Sequence, residues 1–289
     1  MSKSIVKPKD QRCAPSQNYE AGSCIPLHIL EAMAISYNKK FDDIIIKLNK
    51  NLKVLNPTKY KRYLLKQFND KTILGRVCDD QLCWINKDFD FINNMNPKLI
   101  NELKTNVYRP TGPKGKYTWL NTININKVLE QYEKKYNNFK SFGAVPIDFN
   151  KLDSLGIKDI DFNDLLNNNK YKIGVVFNLD EHDESGSHWV SLYSDIKSGH
   201  IYFFDSYGSK PEKRIQKFMR KIANFYKKKF KKEPTVDSNE IRHQFGNNAC
   251  GVYSLNFIVR LLKGESYKNI VNNITKDNEM NINRQVYFI

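Results

Sequence analysis

Two hydrophobic rhythms run along this chain, and the change from one to the other divides it. In the first third, apolar residues recur three and four positions apart, the spacing of one helix face. Ile29, Leu30, Met33 and Ile35 follow Ile25-Pro26 in this way, and Pro26 suits a first helical turn. Thr58 to Phe68 forms a second such stretch, opened by Asn56-Pro57. Residues 1 to about 24 have no period and are basic. Pro110, Gly112, Pro113 and Gly115 punctuate the stretch from Pro97 to Lys116, which reads as a linker or long surface loop. A boundary is expected there, between a mainly helical N-terminal arm domain at 1–116 and a core at 117–289.

In the core the rhythm shortens. A helix over Ile125 to Phe139, with polar cap candidates in Thr122-Ile-Asn124-Ile125, precedes a β-branched, aromatic strand at Lys170 to Leu179. Strands at 188–195 and 200–205 flank a hairpin turn at Lys197-Ser-Gly199. A helix from about Lys210 to Phe230, a short strand near Thr235-Val236 and a helix opening at Cys250 come next. Tyr267 to Ile289 reads as a final helix and tail. The order predicts an α+β protein, a central mixed sheet flanked by helices, without internal repeats.

Composition narrows the class. With 289 residues, 40% hydrophobic and including 17 Phe and 16 Tyr, the chain can bury the core of one or two domains. It has no apolar run of about eighteen residues, so no membrane span is expected. Its first ten residues lack the apolar centre of a signal peptide. The net charge of +16 favours polyanions and acidic surfaces, and DNA bound without sequence preference is a candidate partner. The densest block, Lys227 to Lys232, falls at the end of an expected helix, where lysines also complement the helix dipole.

Five cysteines, an odd number, point to a reducing compartment. Cys78 and Cys83, with Cys13 and Cys24, leave two readings open: a four-thiolate zinc site, or packing thiols with one close pair. No cofactor or metal is assigned.

The chemistry concentrates in Gln244-Phe-Gly-Asn-Asn-Ala-Cys250-Gly251, a loop that runs into an apolar helix carrying Leu255, Ile258 and Leu262. A thiol in the first turn of a helix feels unpaired N–H groups and the positive end of the dipole, and both favour thiolate. Gln244 is close enough along the chain to turn its amide back toward the same place and donate to an oxyanion beside the Cys250 N–H. Upstream, His188-Trp189 stands at the mouth of one expected strand and Asp205 at the end of the next. Adjacent strands bring these two side by side, and a base held by a carboxylate next to a thiol is a nucleophilic triad. His182, in an acidic loop, His200, opening a strand, and His243 lie off this pattern.

The set His188-Trp189, Asp205, Gln244 and Cys250-Gly251, in that order, resembles the ubiquitin-like-protease (adenain) superfamily of cysteine proteases. Thr118-Trp119-Leu120 through Asp148-Phe149, and Ile241-Arg242-His243-Gln244, resemble the African swine fever virus polyprotein protease branch most. That branch has asparagine where this chain has Asp205, whereas its SUMO-deconjugating relatives have aspartate. The resemblance implies Cys250 as nucleophile, His188 as base, Asp205 orienting it and Gln244 in the oxyanion hole. It also implies that Trp189 walls the substrate cleft, covers the histidine and roofs a tunnel that admits only glycine. The activity implied is a viral endopeptidase that cuts structural polyproteins after Gly-Gly-type sites in virions and host cytoplasm. The alternatives are a deconjugating isopeptidase acting on SUMO or another ubiquitin-like modifier, and an acetyltransferase on the same scaffold.

Overall fold

The computed structural model describes residues 12–43, 45–113 and 118–289. Residues 1–11 of the irregular segment, and Lys114 to Tyr117 at the expected boundary, lie outside the described residues. The chain separates into two compact units, one up to Pro110 and one from Thr111 onward.

The first unit is helical: α1 (Leu27–Lys40), α2 (Lys50–Leu55), α3 (Pro57–Phe68), α4 (Gln81–Asn86), α5 (Asp90–Asn93) and α6 (Pro97–Asn106). In α1, Pro26 occupies the cap position rather than the first turn. Ile29, Leu30 and Met33 are buried as expected, but Ile35 points outward, and Ala34 and Tyr37 complete the inner face. Asn56 caps α3 by accepting from the Lys59 N–H at 2.9 Å, with Pro57 in the first turn, where a missing N–H costs nothing. The helix α6 fills the first half of the stretch expected to be a loop. Asn96 caps it and Leu103 buries its inner face, so Pro97 starts a helix there rather than a linker.

This unit closes on itself through a β-bridge between Cys13 and Tyr108. It also corrects the reading of the cysteines. Cys13 is bonded to Cys24 and Cys78 to Cys83, with Cα–Cα distances of 5.2 and 5.5 Å. The four sulfurs are therefore neither packing thiols nor available together as zinc thiolates. Sequence spacing could not separate these outcomes, because pairing depends on where the helices place each Cβ.

The second unit holds α7 (Thr122–Lys135), β1 (Phe139–Val145), α8 (Phe162–Asn167), β2 (Lys172–Asn178), β3 (Trp189–Asp195), β4 (His200–Phe204), α9 (Lys213–Phe230), β5 (Thr235–Ser238) and α10 (Cys250–Leu262). Three short helices follow, α11 (Tyr267–Asn272), α12 (Asp277–Ile282) and α13 (Arg284–Tyr287), in place of the single expected helix and tail. The five strands form one mixed sheet in the order β1-β2-β3-β4-β5. The outer pairs β1/β2 and β4/β5 are parallel, and the inner pairs are antiparallel.

Side chains alternate across the sheet with the period of two that strands impose. Val190 and Leu192 of β3, with Phe203 of β4, pack against Ile215, Phe218 and Ile222 of α9. Trp189 and Tyr193, with Phe204, face the opposite way and pack against α7 and α10. The sheet thus lies between α9 on one face and α7 with α10 on the other. The helix α7 starts earlier than expected because Asn121 and Asn124 form a reciprocal capping box. It also ends earlier, because Phe139 opens β1. None of the helices formed by the described residues is long and apolar enough to cross a membrane.

Candidate active site

The antiparallel register of β3 and β4 pairs Ser191 with Phe204. The start of β3 therefore lies beside the end of β4, which brings His188 and Asp205 together. His188 Nε2 is 2.7 Å from Asp205 Oδ1, and both residues are buried. The second group that acts on the His188 ring is Cys250, at the start of the helix α10 (Cys250–Leu262). Burial pulls the His188 imidazole toward the neutral form. The hydrogen bonds and negative charge of Asp205 and Cys250 outweigh it, and His188 is pushed up to about 9.

Asp205 is itself held from two sides. Its backbone N–H donates to Asn239 Oδ1 at 2.8 Å, and Asn239 Nδ2 donates back to the Asp205 carbonyl at 2.7 Å. Its Oδ1 also accepts the Tyr207 N–H at 2.8 Å, an Asx turn that leads the chain away from β4. Gly208 completes the turn with φ of +76°, and a Cβ there would sit 2.8 Å from the Glu240 carbonyl oxygen.

Cys250 is the first residue of α10 and is the one free cysteine among the described residues. Ala249 stands at the cap and offers no side-chain acceptor, so no side chain closes off the first N–H groups of α10. Gly251 is required by packing: a Cβ would lie 3.0 Å from Leu120 Cβ. Leu120 is in turn held by its carbonyl, which accepts from Trp189 Nε1 at 2.8 Å. The Cys-Gly pair therefore lets the start of α10 press against the segment that precedes α7.

Gln244 is wholly buried and joins the set through Ser206. Ser206 Oγ donates to its Oε1 at 2.7 Å, and its Nε2 donates to the Gly246 carbonyl at 2.8 Å. This fixes the orientation of the amide and leaves its second N–H uncommitted to these bonds. Asp277 anchors the same loop by accepting from the N–H groups of Phe245 and Gly246, at 2.9 and 2.7 Å.

The ring stacked on His188 is Tyr207, with centroids 4.5 Å apart and planes within 12°. The Tyr207 hydroxyl donates to the Gly246 carbonyl at 3.1 Å, and the Arg242 guanidinium lies 5.0 Å from the ring centre. Trp189 is nearly buried in the α7–α10 core and lines a groove of about 440 Å³ together with Trp119, Leu120, Asn178, His182 and Glu184. Trp119 is half exposed there.

The three histidines set aside earlier have other partners. His182 Nδ1 is 2.7 Å from Asp148 Oδ2, a second histidine–carboxylate pair, but one half-exposed and without a cysteine. His200 stacks on Tyr202. His243 is buried against Phe204 and Tyr253, its Nε2 3.0 Å from the Val271 carbonyl oxygen, and burial lowers its pKa. Sequence reasoning did not single out Tyr207, Asn239 or Ser206. The turn signal Asp205-Ser-Tyr-Gly208 was visible, but nothing in it pointed to their partners.

An imidazole held between a carboxylate and a thiol, at an uncapped helix N-terminus, is what makes a thiolate nucleophile. Comparison with known proteins agrees. Residues 163–288 match the model of the Ulp1 protease family, C-terminal catalytic domain. Over 287 residues, 96% of this chain and 92% of the relative, the chain is 34% identical to a "Putative thiol protease" of Acanthamoeba polyphaga mimivirus. The chain belongs to the Ulp1 family of cysteine proteases. The chain is also 26% identical over 238 residues, 77% of this chain and 86% of the relative, to the "SUMO-1 cysteine protease" of African swine fever virus. The crystal structure of the African swine fever virus protease shares the fold, with a TM-score of 0.64 at 22% identity over 84% of this chain and 91% of that one. The central mixed sheet flanked by helices is thus the Ulp1-like fold, preceded by a helical N-terminal region.

Proposed function

We propose that the protein is a viral cysteine endopeptidase that cuts structural polyproteins after Gly-Gly-type sequences as particles mature at assembly sites in the host cytoplasm. The observation that carries the reading is His188, held 2.7 Å from Asp205, with the Cys250 thiol acting on the same ring from the start of α10. In this reading Cys250 attacks the scissile carbonyl carbon. His188 holds the thiol proton and gives it to the leaving amine. Asp205 orients the ring and stabilises its cationic form. The Cys250 N–H and the free N–H of Gln244 Nε2 receive the oxyanion, each donor contributing roughly 3 kcal/mol. The groove between Trp119 and Trp189 takes the narrow, side-chain-poor part of the substrate, with Trp189 as its wall. The N-terminal unit belongs to the reading because the mimivirus relative matches this chain over nearly its whole length.

A second reading keeps the chemistry and changes the substrate to a SUMO-like modifier. The likeness to the "SUMO-1 cysteine protease" of African swine fever virus favours it, and the net charge of +16 suits an acidic protein partner. The same charge suits DNA as a second, non-specific ligand.

The test is hydrolysis of a Gly-Gly-Xaa peptide panel by the wild type and by Cys250→Ala, with and without DNA, beside a SUMO–peptide fusion. Cleavage of short Gly-Gly peptides that vanishes in the variant supports the endopeptidase. Cleavage of the fusion alone transfers the reading to deconjugation.

A further inference from the structure

One ionisable group beside Cys250 has no part in the chemistry just described. Arg284, the first residue of α13, is wholly buried. Its Nη2 donates to the Asn248 carbonyl at 2.9 Å, its Nε to Asn281 Oδ1 at 2.9 Å, and Nη1 lies 3.5 Å from the Pro113 carbonyl oxygen. All three acceptors are neutral. No carboxylate among the described residues forms an ion pair with it, unlike the half-buried Arg214 and Arg260, which face Glu181, Glu212 and Glu265. A buried guanidinium without a counter-charge is costly. Burial pulls its pKa down, and Cys250 opposes that pull.

We propose that Arg284 is a positioning residue of the Cys250 site, fixing the turn into α10 through the Asn248 carbonyl and supplying the buried positive charge that the Cys250 thiolate neutralises. The inference rests on Cys250 being the nucleophile. Asn248 stands two residues before Cys250, so a donor clamped on its carbonyl fixes the plane of the Asn248–Ala249 peptide. That peptide carries the chain into the first turn of a helix that no side chain caps. The planar fork of arginine suits the role, since it holds Asn248 and Asn281 with separate nitrogens and keeps its charge at every working pH. The ionisable groups around the site come from two sides: His188 and Tyr207, stacked on one another at the β3–β4 side, and Arg284 from α13. Asp205 joins them through His188.

The experiment is the pH dependence of Cys250 alkylation by iodoacetamide under non-reducing conditions, where the other four cysteines are held in disulfides. Wild type, Arg284→Met and Arg284→Lys are compared, with circular dichroism and thermal melting reporting the fold. Arg284→Met is expected to move the inflection of the alkylation rate upward by a pH unit or more and to slow alkylation at pH 6 about tenfold. Arg284→Lys, which keeps the charge and loses the fork, is expected to hold the inflection within half a unit while kcat on a peptide substrate falls at least fivefold and KM changes less than twofold. A folded Arg284→Met with the wild-type inflection overturns the electrostatic role. An Arg284→Lys with wild-type kcat overturns the positioning role, and this variant decides the matter if Arg284→Met does not fold. Alkylation needs no substrate, so these outcomes stay separate from a wild type that alkylates normally but cleaves nothing, which would count against the peptidase reading alone.

Discussion

Tyr207 lies flat on His188, its ring centre 4.5 Å from the imidazole centre, while its hydroxyl reaches across to the Gly246 carbonyl. One side chain therefore links the histidine to the loop that carries Gln244. A stack of this kind contributes about 0.5–1.5 kcal/mol, roughly twofold to tenfold in rate if it is needed to hold the ring in place. Tyr207→Phe keeps the ring and is expected to lose less than threefold in kcat/KM. Tyr207→Ala is expected to lose about tenfold, with melting temperature nearly unchanged. Steady-state kinetics on one peptide substrate would show it, and equal losses in both variants would place the effect in the hydroxyl instead.

The His188 shift makes a prediction about pH. The folded value of about 9 lies above the ordinary 6.5, so the folded state holds this proton more tightly than the unfolded one. The stability it contributes is complete below pH 6.5 and is lost as pH rises through about 9. Cys250→Ala removes a neighbour that helps to raise the ring, and is expected to lower the His188 pKa. NMR titration of the His188 ring in both proteins measures it, and an unmoved value would mean that Asp205 alone sets the shift.

Asn239 offers a test of the support behind Asp205. Asn239→Ala leaves the buried Asp205 N–H and carbonyl without their partners, each costing about 1–3 kcal/mol. The variant is expected to unfold at clearly lower denaturant and to show a His188 pKa nearer the ordinary value. Asn239→Asp, which can still accept the Asp205 N–H but cannot donate, is expected to fall between.

Gly251 sets helix propensity against packing. In an exposed helix, alanine would be favoured over glycine by about 1 kcal/mol. Here the new Cβ would meet Leu120 Cβ at 3.0 Å, and the Trp189 bond keeps Leu120 from retreating. Overpacking of this kind costs about 1–3 kcal/mol, so Gly251→Ala is expected to destabilise. Chemical denaturation decides the sign.

Much of the second unit was legible because its signals are local. The β-branched run of β2 and the Gly199 turn between β3 and β4 announce themselves in a few residues, and Cys250-Gly251 before an apolar helix does the same. The strand β1 was missed because Lys140, Ser141 and Gly143 break its apolar pattern. It pairs with β2 across a register shift at Ser141 and Ala144, where Asn126 Oδ1 takes the Ala144 N–H. The final helix was expected whole because its breaks fall at Asn273 and Asn283, residues that a helix also tolerates and whose effect depends on tertiary docking. His188, Asp205 and Cys250 could be picked out by residue type and order. Asn239 and Arg284 could not, since their partners lie 34 and 36 residues away in sequence and nothing near either of them marks the meeting. The disulfides escaped for a different reason: their partners are only 11 and 5 residues apart, but pairing depends on where the fold places each Cβ.

Four of the five cysteines are spent in the first unit, so a count of reactive thiols has a definite expectation. Ellman titration of the denatured, unreduced protein should find one thiol, and five after reduction. More than one before reduction would mean that a disulfide is absent in solution.

The order of the sheet has a consequence for how the chain comes off the ribosome. Because the strands stack in the sequence in which they are synthesised, each finds its neighbour already made, and the β3–β4 pairing is the most local of them. The β3–β4 hairpin can therefore bring His188 beside Asp205 while Cys250 is still to be added. The thiol arrives with α10, and the buried arginine behind it later still, with α13. A nascent chain stalled before these helices carries the base and its carboxylate but has no nucleophile set against them, and so has no means of cutting its neighbours on the same polysome.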